Sequence, residues 1–256
     1  MLTGIDHIVI VVRDLTAAAT SYQALGFTVV PGGRHPVGTH NALIAFQDGA
    51  YIELIAFYEP NAQHKWWQPL QRGGGLVDLC MQTDDLRGDT VAFRRAGVDI
   101  DDPSPLSRMR PDGYQLKWVL SIPRGVHRGV APFLIEDETP REERIPRQTR
   151  HVNGVTGIAT VTVAVSDLDT VRGWYAVALG QTGHEVARDD LGAAGAGFTI
   201  GPHTLEFVTP RTATSPLGGW LRTRGPSPYA ATLKTASSKR GPLDPALAEG
   251  ARLSLV

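Results

Sequence analysis

Apolar residues crowd positions 5 to 12, IDHIVIVV, in a run dominated by β-branched side chains and too short for an ordinary helix. It reads as a buried strand. Side chains alternate between the two faces of a strand, so the period places His7 with Ile5, Val9 and Val11. An imidazole in such a row has two readings. It is a core side chain bonded to a backbone carbonyl, or a metal ligand or acid–base group facing a cavity.

The pattern recurs along the chain. GIATVTVAVSDL (157–168) overlays the opening stretch without gaps, with Ile158 on Ile5, Val163 on Ile10 and Asp167-Leu168 on Asp14-Leu15. SYQALGF and WYAVALG both read as short amphipathic helices ending at a glycine, Tyr22 over Tyr175. AYIELIAF (50–57) matches PHTLEFVT (202–209), with Glu53 over Glu206. A weaker copy begins at residue 75, passes Asp85-Leu86 and becomes a helix ending at Gly97. Laying Asp85-Leu86 on Asp14-Leu15 puts Asp78 opposite His7. The strands GYQLKWVLSI (113–122) and APFLIED (131–137) complete that copy. A fourth is degenerate: PYAATLKT (228–235) and ARLSLV (251–256) are strands, with no clear helix.

The expected fold class is α+β. Four tandem βαβββ modules, the last degenerate, form two half-open curved sheets with helices outside and a cleft within. Residues 1–138 make one domain of two modules. The charged, proline-punctuated stretch 139–153 reads as a linker, and 154–256 as a second, degenerate domain.

Composition narrows the function classes. Apolar residues are 42% of 256, enough for a real core. The net charge of −1 gives no footprint for nucleic acid or an acidic membrane surface. No apolar run reaches the roughly 18 residues of a membrane span, and the N-terminus does not read as a secretory signal. The single cysteine, Cys80, excludes an internal disulfide framework and makes a reducing cytoplasm the expected home. It sits in LVDLCM and reads as a small core residue. GAAGAG (192–197) opens no helix and reads as a hairpin connection, not a nucleotide cradle.

The stretches IDHIVIVVRDL, GGRHPVGTHNAL (32–43), YIEL (51–54), LCMQTDDL (79–86), SRMRPDGYQLKWVL (107–120) and PFLIED (132–137) together resemble the vicinal oxygen chelate superfamily and its glyoxalase-like branch. The resemblance covers residues 4 to 140; the second half joins it through the internal repeat. It implies a fold and leaves the reaction open, since the superfamily includes isomerases, lyases, ring-cleaving dioxygenases, thiol transferases and drug-binding proteins.

In that family metal ligands lie on the first and fourth strands of a module, which here carry His7 and Glu53. An imidazole nitrogen with a carboxylate oxygen suits Zn, Mn, Ni or Fe. Asp78 is the candidate third ligand. Phe133 or Leu134 stands where a fourth is expected, with Glu136 further along. In the second half Thr160 replaces the histidine and only Glu206 remains, beside His203 as a remnant or an edge-strand surface pair. His35, after the tight turn at Gly32-Gly33, is a candidate further ligand or acid–base group, and Glu53 or His35 would shuttle a proton. Arg108, Trp118 and Asn41 are expected to bind substrate, with Arg110 beside Arg108. Trp66-Trp67 form a lid or seal the module junction. His64, His127, His151 and His184 read as structural.

Two functions follow. One is a divalent-metal-dependent lyase or isomerase that moves a proton next to a polarised carbonyl of a small oxygenated or anionic metabolite. The alternative is a non-catalytic protein that sequesters a small molecule such as a drug. The expected partner is a small-molecule ligand, not nucleic acid or membrane. Monomer and homodimer both stay open.

Overall fold

A computed structural model describes all 256 residues. The first half runs β1 (Leu2–Val11), α1 (Leu15–Ala24), β2 (Val30–Arg34), β3 (Thr39–Ala45), β4 (Tyr51–Phe57), α2 (Trp67–Gln71), β5 (Gly75–Thr83), α3 (Leu86–Arg95), β6 (Ser104–Met109), β7 (Gln115–Ser121) and β8 (Phe133–Asp137). A helical turn, α4 (Arg141–Arg144), leads to β9 (Val155–Ala164), α5 (Leu168–Leu179), β10 (His184–Arg188), β11 (Ala193–Ile200) and β12 (His203–Pro210). The chain ends with α6 (Pro216–Arg224), β13 (Ser227–Thr235), β14 (Gly241–Pro242) and β15 (Leu253–Leu255). No helix follows β13, so the fourth module is degenerate in the expected way. No helix is long and apolar enough to cross a membrane.

The repeated Asp-Leu pair has a local cause. Asp14, Asp85 and Asp167 are the N-caps of α1, α3 and α5, accepting bonds from the amides of Thr16 (2.8 Å), Gly88 (2.9 Å) and Thr170 (3.0 Å). Each strand thus turns into its helix at the same place in three modules.

The eight strands of the first half close into a barrel, in the order β1-β4-β3-β2-β6-β7-β8-β5, with β5 antiparallel to β1. The curved sheet expected to be half-open is shut by a narrow seam, the pairing of Arg34 with Met109 between β2 and β6. Gly32 and Gly33, expected to form a tight turn, lie instead inside β2, and Gly33 permits the seam: a Cβ there would lie 2.1 Å from the Met109 carbonyl oxygen. The second half stays an open seven-stranded sheet, β10-β11-β12-β9-β13-β15-β14. The glycine-rich stretch expected to be a connection is mostly strand β11. At Gly195 a Cβ would lie 1.8 Å from the Phe207 carbonyl oxygen, so the two strands pair this closely only with glycine there.

Alternation along β1 sorts its residues between two cores. Ile8 and Ile10 join a cluster shared with Tyr22, Val161, Val163 and Tyr175, which spans both halves. Val9 and Val11 face into the barrel with Ile55, Cys80, Trp118 and Phe133. Ile5 belongs to the first cluster and not, as strict alternation predicts, to the face of His7. A β-bulge between Ile5 and His7 is the reason: Ile5 pairs with Met81 and His7 with Cys80, leaving Asp6 as the extra residue. The matching bulge on β5 falls between Val9–Asp78 and Ile10–Leu76.

Polar contacts also cross between the halves. The repeat-related tyrosines, both fully buried, each donate a hydroxyl to a carbonyl of the other half, Tyr22 to Ala248 (3.1 Å) and Tyr175 to Val130 (3.1 Å). His203 is buried, accepts the amide of Ile5 on Nδ1 (2.9 Å) and lies 3.3 Å from Asp48 through Nε2. It is neither a remnant site nor a surface pair with Glu206, because β12 is an interior strand and the two side chains have different partners.

Candidate ligand site in the first barrel

The bulge at Asp6 re-aims a carboxylate onto the face of the histidine after it. Asp6 Oδ1 lies 2.6 Å from His7 Nδ1, and both residues are buried. Arg144 donates to Asp6 through both terminal nitrogens (2.9 and 2.8 Å), and Arg141 donates to it as well. Burial alone would raise the Asp6 carboxyl. The Arg144 guanidinium, followed by the bond from His7 and the charge of Arg141, holds it well below the usual carboxylate range. Asp6 is therefore a fixed anion. It accepts a hydrogen bond from His7 Nδ1–H, which leaves Nε2 to face inward. There Nε2 meets Glu53 Oε2 at 3.5 Å. His7 also stacks on Tyr51 (ring centroids 4.5 Å apart), whose hydroxyl accepts from Arg144 at 2.8 Å.

Arg141 and Arg144 lie in the stretch expected to be a linker. It folds back on the barrel, and Arg144 bridges Asp6 and Asp137 with almost no exposure.

His7 and Glu53 face a cavity of about 300 Å³. Its wall includes His35, His64, Lys65, Trp66, Arg108, Trp118, Arg128 and Phe133. Four lysine or arginine side chains, Arg144 among them, border it against two carboxylates, Glu53 and Asp101. Arg144 is paired with Asp6 and Asp137 and Lys65 with Asp78, which leaves Arg108 and Arg128 as the lining cations with no carboxylate partner.

Of the candidates from sequence, His7, His35, Glu53, Arg108 and Trp118 meet at this cavity. Asn41 is buried beside it but engaged within the protein. Its amide donates to Glu53 Oε1 (2.5 Å) and its oxygen accepts from Arg108 (3.1 Å). It positions those two from beside the cavity. Asp78 shares the inner face, yet its carboxylate is taken by Lys65 Nζ (2.9 Å), the Trp66 indole N–H (2.8 Å) and the Leu79 amide. Arg110 lies away from the cavity, paired with Asp112 and Glu143. Glu136 caps the amide of Leu86. In the second half Glu206 pairs with Arg188 at 3.1 Å.

His35 is held by Thr39 Oγ1 (3.0 Å). Burial pushes its imidazole down to about 4; the charges of Arg108 and His7 add to this and Glu53 opposes it. It is neutral near pH 7, a hydrogen-bond partner and not an acid. His64, expected to be structural, lines the cavity instead, and is also pushed down to about 4 by burial and then by Lys65. Trp66 forms cavity wall, while Trp67 packs edge-on against Phe57. Cys80 is a core residue, its thiol pushed well up by burial.

Sequence reasoning missed Asp6, Lys65, His64 and Arg144. Asp6 had a signal, since a carboxylate beside a strand histidine reaches it once a bulge intervenes. Lys65 was overshadowed by the tryptophans after it. Nothing in a charged linker marks one arginine as a plug.

The donor set does not match the metal site that the family resemblance implies. His7 and Glu53 offer two donors, but they share no third His, Cys, Asp or Glu donor within 4.8 Å. The one set of three at that spacing is Asp6, His7 and Cys80. Its carboxylate already faces two guanidinium groups and its thiol resists ionisation, so it is poorly suited to a cation.

A family model described as a glyoxalase-like domain matches residues 5–179. A hypothetical protein from Staphylococcus aureus superposes with a TM-score of 0.71 at 16% identity, covering 98% of each chain. A mutant of 4-hydroxymandelate synthase from Streptomyces coelicolor gives 0.62 at 16% identity, over 93% of this chain and 72% of that one. A xylose isomerase-like TIM barrel/4-hydroxyphenylpyruvate dioxygenase fusion protein gives 0.58 at 12% identity, over 93% of this chain and 37% of that one. At these identities the likeness is one of fold. No curated protein matches the sequence.

Proposed function

Because this chain belongs to the glyoxalase-like family, we propose that its first barrel binds a small anionic, oxygen-bearing metabolite and moves a proton on it, as a lyase or isomerase does. One observation carries the reading: His7, fixed by Asp6 at 2.6 Å, directs Nε2 at Glu53 across 3.5 Å inside a cavity lined by Arg108 and Arg128.

Each step has a residue. Asp6 keeps the Nδ1–H tautomer, so the Nε2 lone pair is the base. Glu53, held by Asn41, is the second proton carrier at the same point. A proton leaving carbon develops negative charge on the neighbouring carbonyl oxygen. The cavity-lining Lys65, Arg108 and Arg128 stabilise that charge. Trp118 and Phe133 supply apolar wall, and neutral His35 offers a hydrogen bond. No step is assigned to a divalent ion, because the protein supplies only two donors at this point.

The aromatic lining favours a second reading, in which the cavity sequesters a flat drug-like molecule without turnover. Calorimetric titration with small carboxylates, phosphoesters and aromatic drugs separates the two. The first reading expects carboxylates or phosphoesters to bind, and more weakly after Arg128→Met. Binding of aromatic drugs alone would favour sequestration.

A further inference from the structure

The repeat gives the His7–Glu53 pair a counterpart in the second module, and that counterpart is built differently. The alignment that puts Asp14 on Asp85 puts His7 on Asp78 and Val9 on Cys80. The strand register agrees: His7 pairs with Cys80, and Val9 with Asp78, as an internal two-fold requires. Val9 pairs in parallel with Glu53 on β4, and Cys80 in parallel with Phe133 on β8. Phe133 is therefore the counterpart of Glu53. Where the first module presents an imidazole and a carboxylate, the second presents a carboxylate and a phenyl ring.

Lys65 fills the difference. Its ammonium lies 2.9 Å from Asp78 Oδ2, 3.7 Å from the centre of the Phe133 ring and 4.7 Å from that of Trp66. The side chain is 11% exposed and lines the same cavity as His7. Its ammonium carries three donors, and Asp78 is the one carboxylate it pairs with. The aromatic faces stabilise the cation without consuming a donor.

We propose that Lys65 is a built-in cation that takes the place of a divalent ion in this barrel, and that it receives an anionic oxygen of the ligand. A lysine brings one positive charge and no empty coordination position. The site then needs no metal loading, and its Asp78 anchor is unavailable as a ligand. This deepens the proposed function and rests on it only for the identity of the ligand.

The metal test stands apart from that reading. Purified without chelator and then equilibrated with Zn, Mn, Ni or Fe(II), the wild-type chain is expected to retain essentially no metal. The double variant Lys65→Ala with Phe133→Glu releases Asp78 from its ion pair and adds a carboxylate beside it, bringing the carboxylate and imidazole donors to four with His7 and Glu53. If its far-ultraviolet dichroism and melting stay cooperative, it is expected to retain about one ion per chain. A wild-type chain that holds one ion, lost on His7→Ala, overturns the proposal, as does a folded double variant that takes up none.

The anion test uses malonate at constant ionic strength. The wild-type melting temperature is expected to rise, and that of Lys65→Met to rise by less than half as much. Equal rises overturn the assignment of Lys65. A wild-type chain that no carboxylate or phosphoester stabilises counts against the proposed function instead, and leaves metal uptake to judge Lys65.

Discussion

At Asp6 one buried carboxylate faces two guanidinium groups and an imidazole. Removing its charge leaves Arg144 buried with Asp137 as its one remaining carboxylate. Asp6→Asn is expected to cost about 3–5 kcal/mol in chemical denaturation, far more than a surface ion pair. Loss below about 1 kcal/mol would mean the cluster is not held as described. His35 makes a pH prediction. The unfolded imidazole titrates near 6.5 and the folded one near 4, so the unfolded chain binds more protons between those values. Stability is therefore fully present above 6.5 and falls as the pH drops toward 4, by about 3 kcal/mol at most from this group. Denaturation midpoints compared at pH 7 and 4.5 should fall less for His35→Asn than for wild type; equal falls contradict it. At this scale the sequence was half legible. His7 and Glu53 stood out as polar groups on apolar strands. Lys65 and Arg144 did not, because what makes them unusual is the partners that distant segments bring to them.

Among the elements, the bulge on β1 and the seam between β2 and β6 shape the site. The bulge turns Asp6 toward His7, and the seam turns a curved sheet into an enclosed barrel. Gly33→Ala places a methyl group against the Met109 carbonyl. It is expected to cost about 2 kcal/mol and to raise amide hydrogen exchange in Val30–Arg34 and Ser104–Met109 while leaving β1 protected. Unchanged exchange at both strands would contradict a tight seam. Strands, helices and their Asp-Leu caps were readable from period and repeat. The bulge was not, because it inserts one residue into an otherwise regular apolar run. Neither was closure, which depends on a single long-range pair.

The whole molecule joins a closed barrel to an open sheet across one apolar core. The repeat announced two halves but not how deeply they share that core, since apolar periodicity does not say which outer face meets which. We expect thermal unfolding as a single cooperative transition, and a chain cut after residue 153 to be insoluble or molten for want of cover over Ile8, Ile10 and Tyr22. A soluble, cooperatively melting fragment would show instead that the halves are independent domains.

The central claim, proton transfer at His7, is tested most directly by exchange in heavy water. Pooled small oxo acids, hydroxy acids and acyl thioesters are incubated with the protein, and loss of carbon-bound hydrogen is followed by NMR. At least one compound is predicted to exchange, with the rate falling by about 100-fold or more in His7→Gln. No exchange across the panel, or exchange unchanged by that substitution, would contradict it.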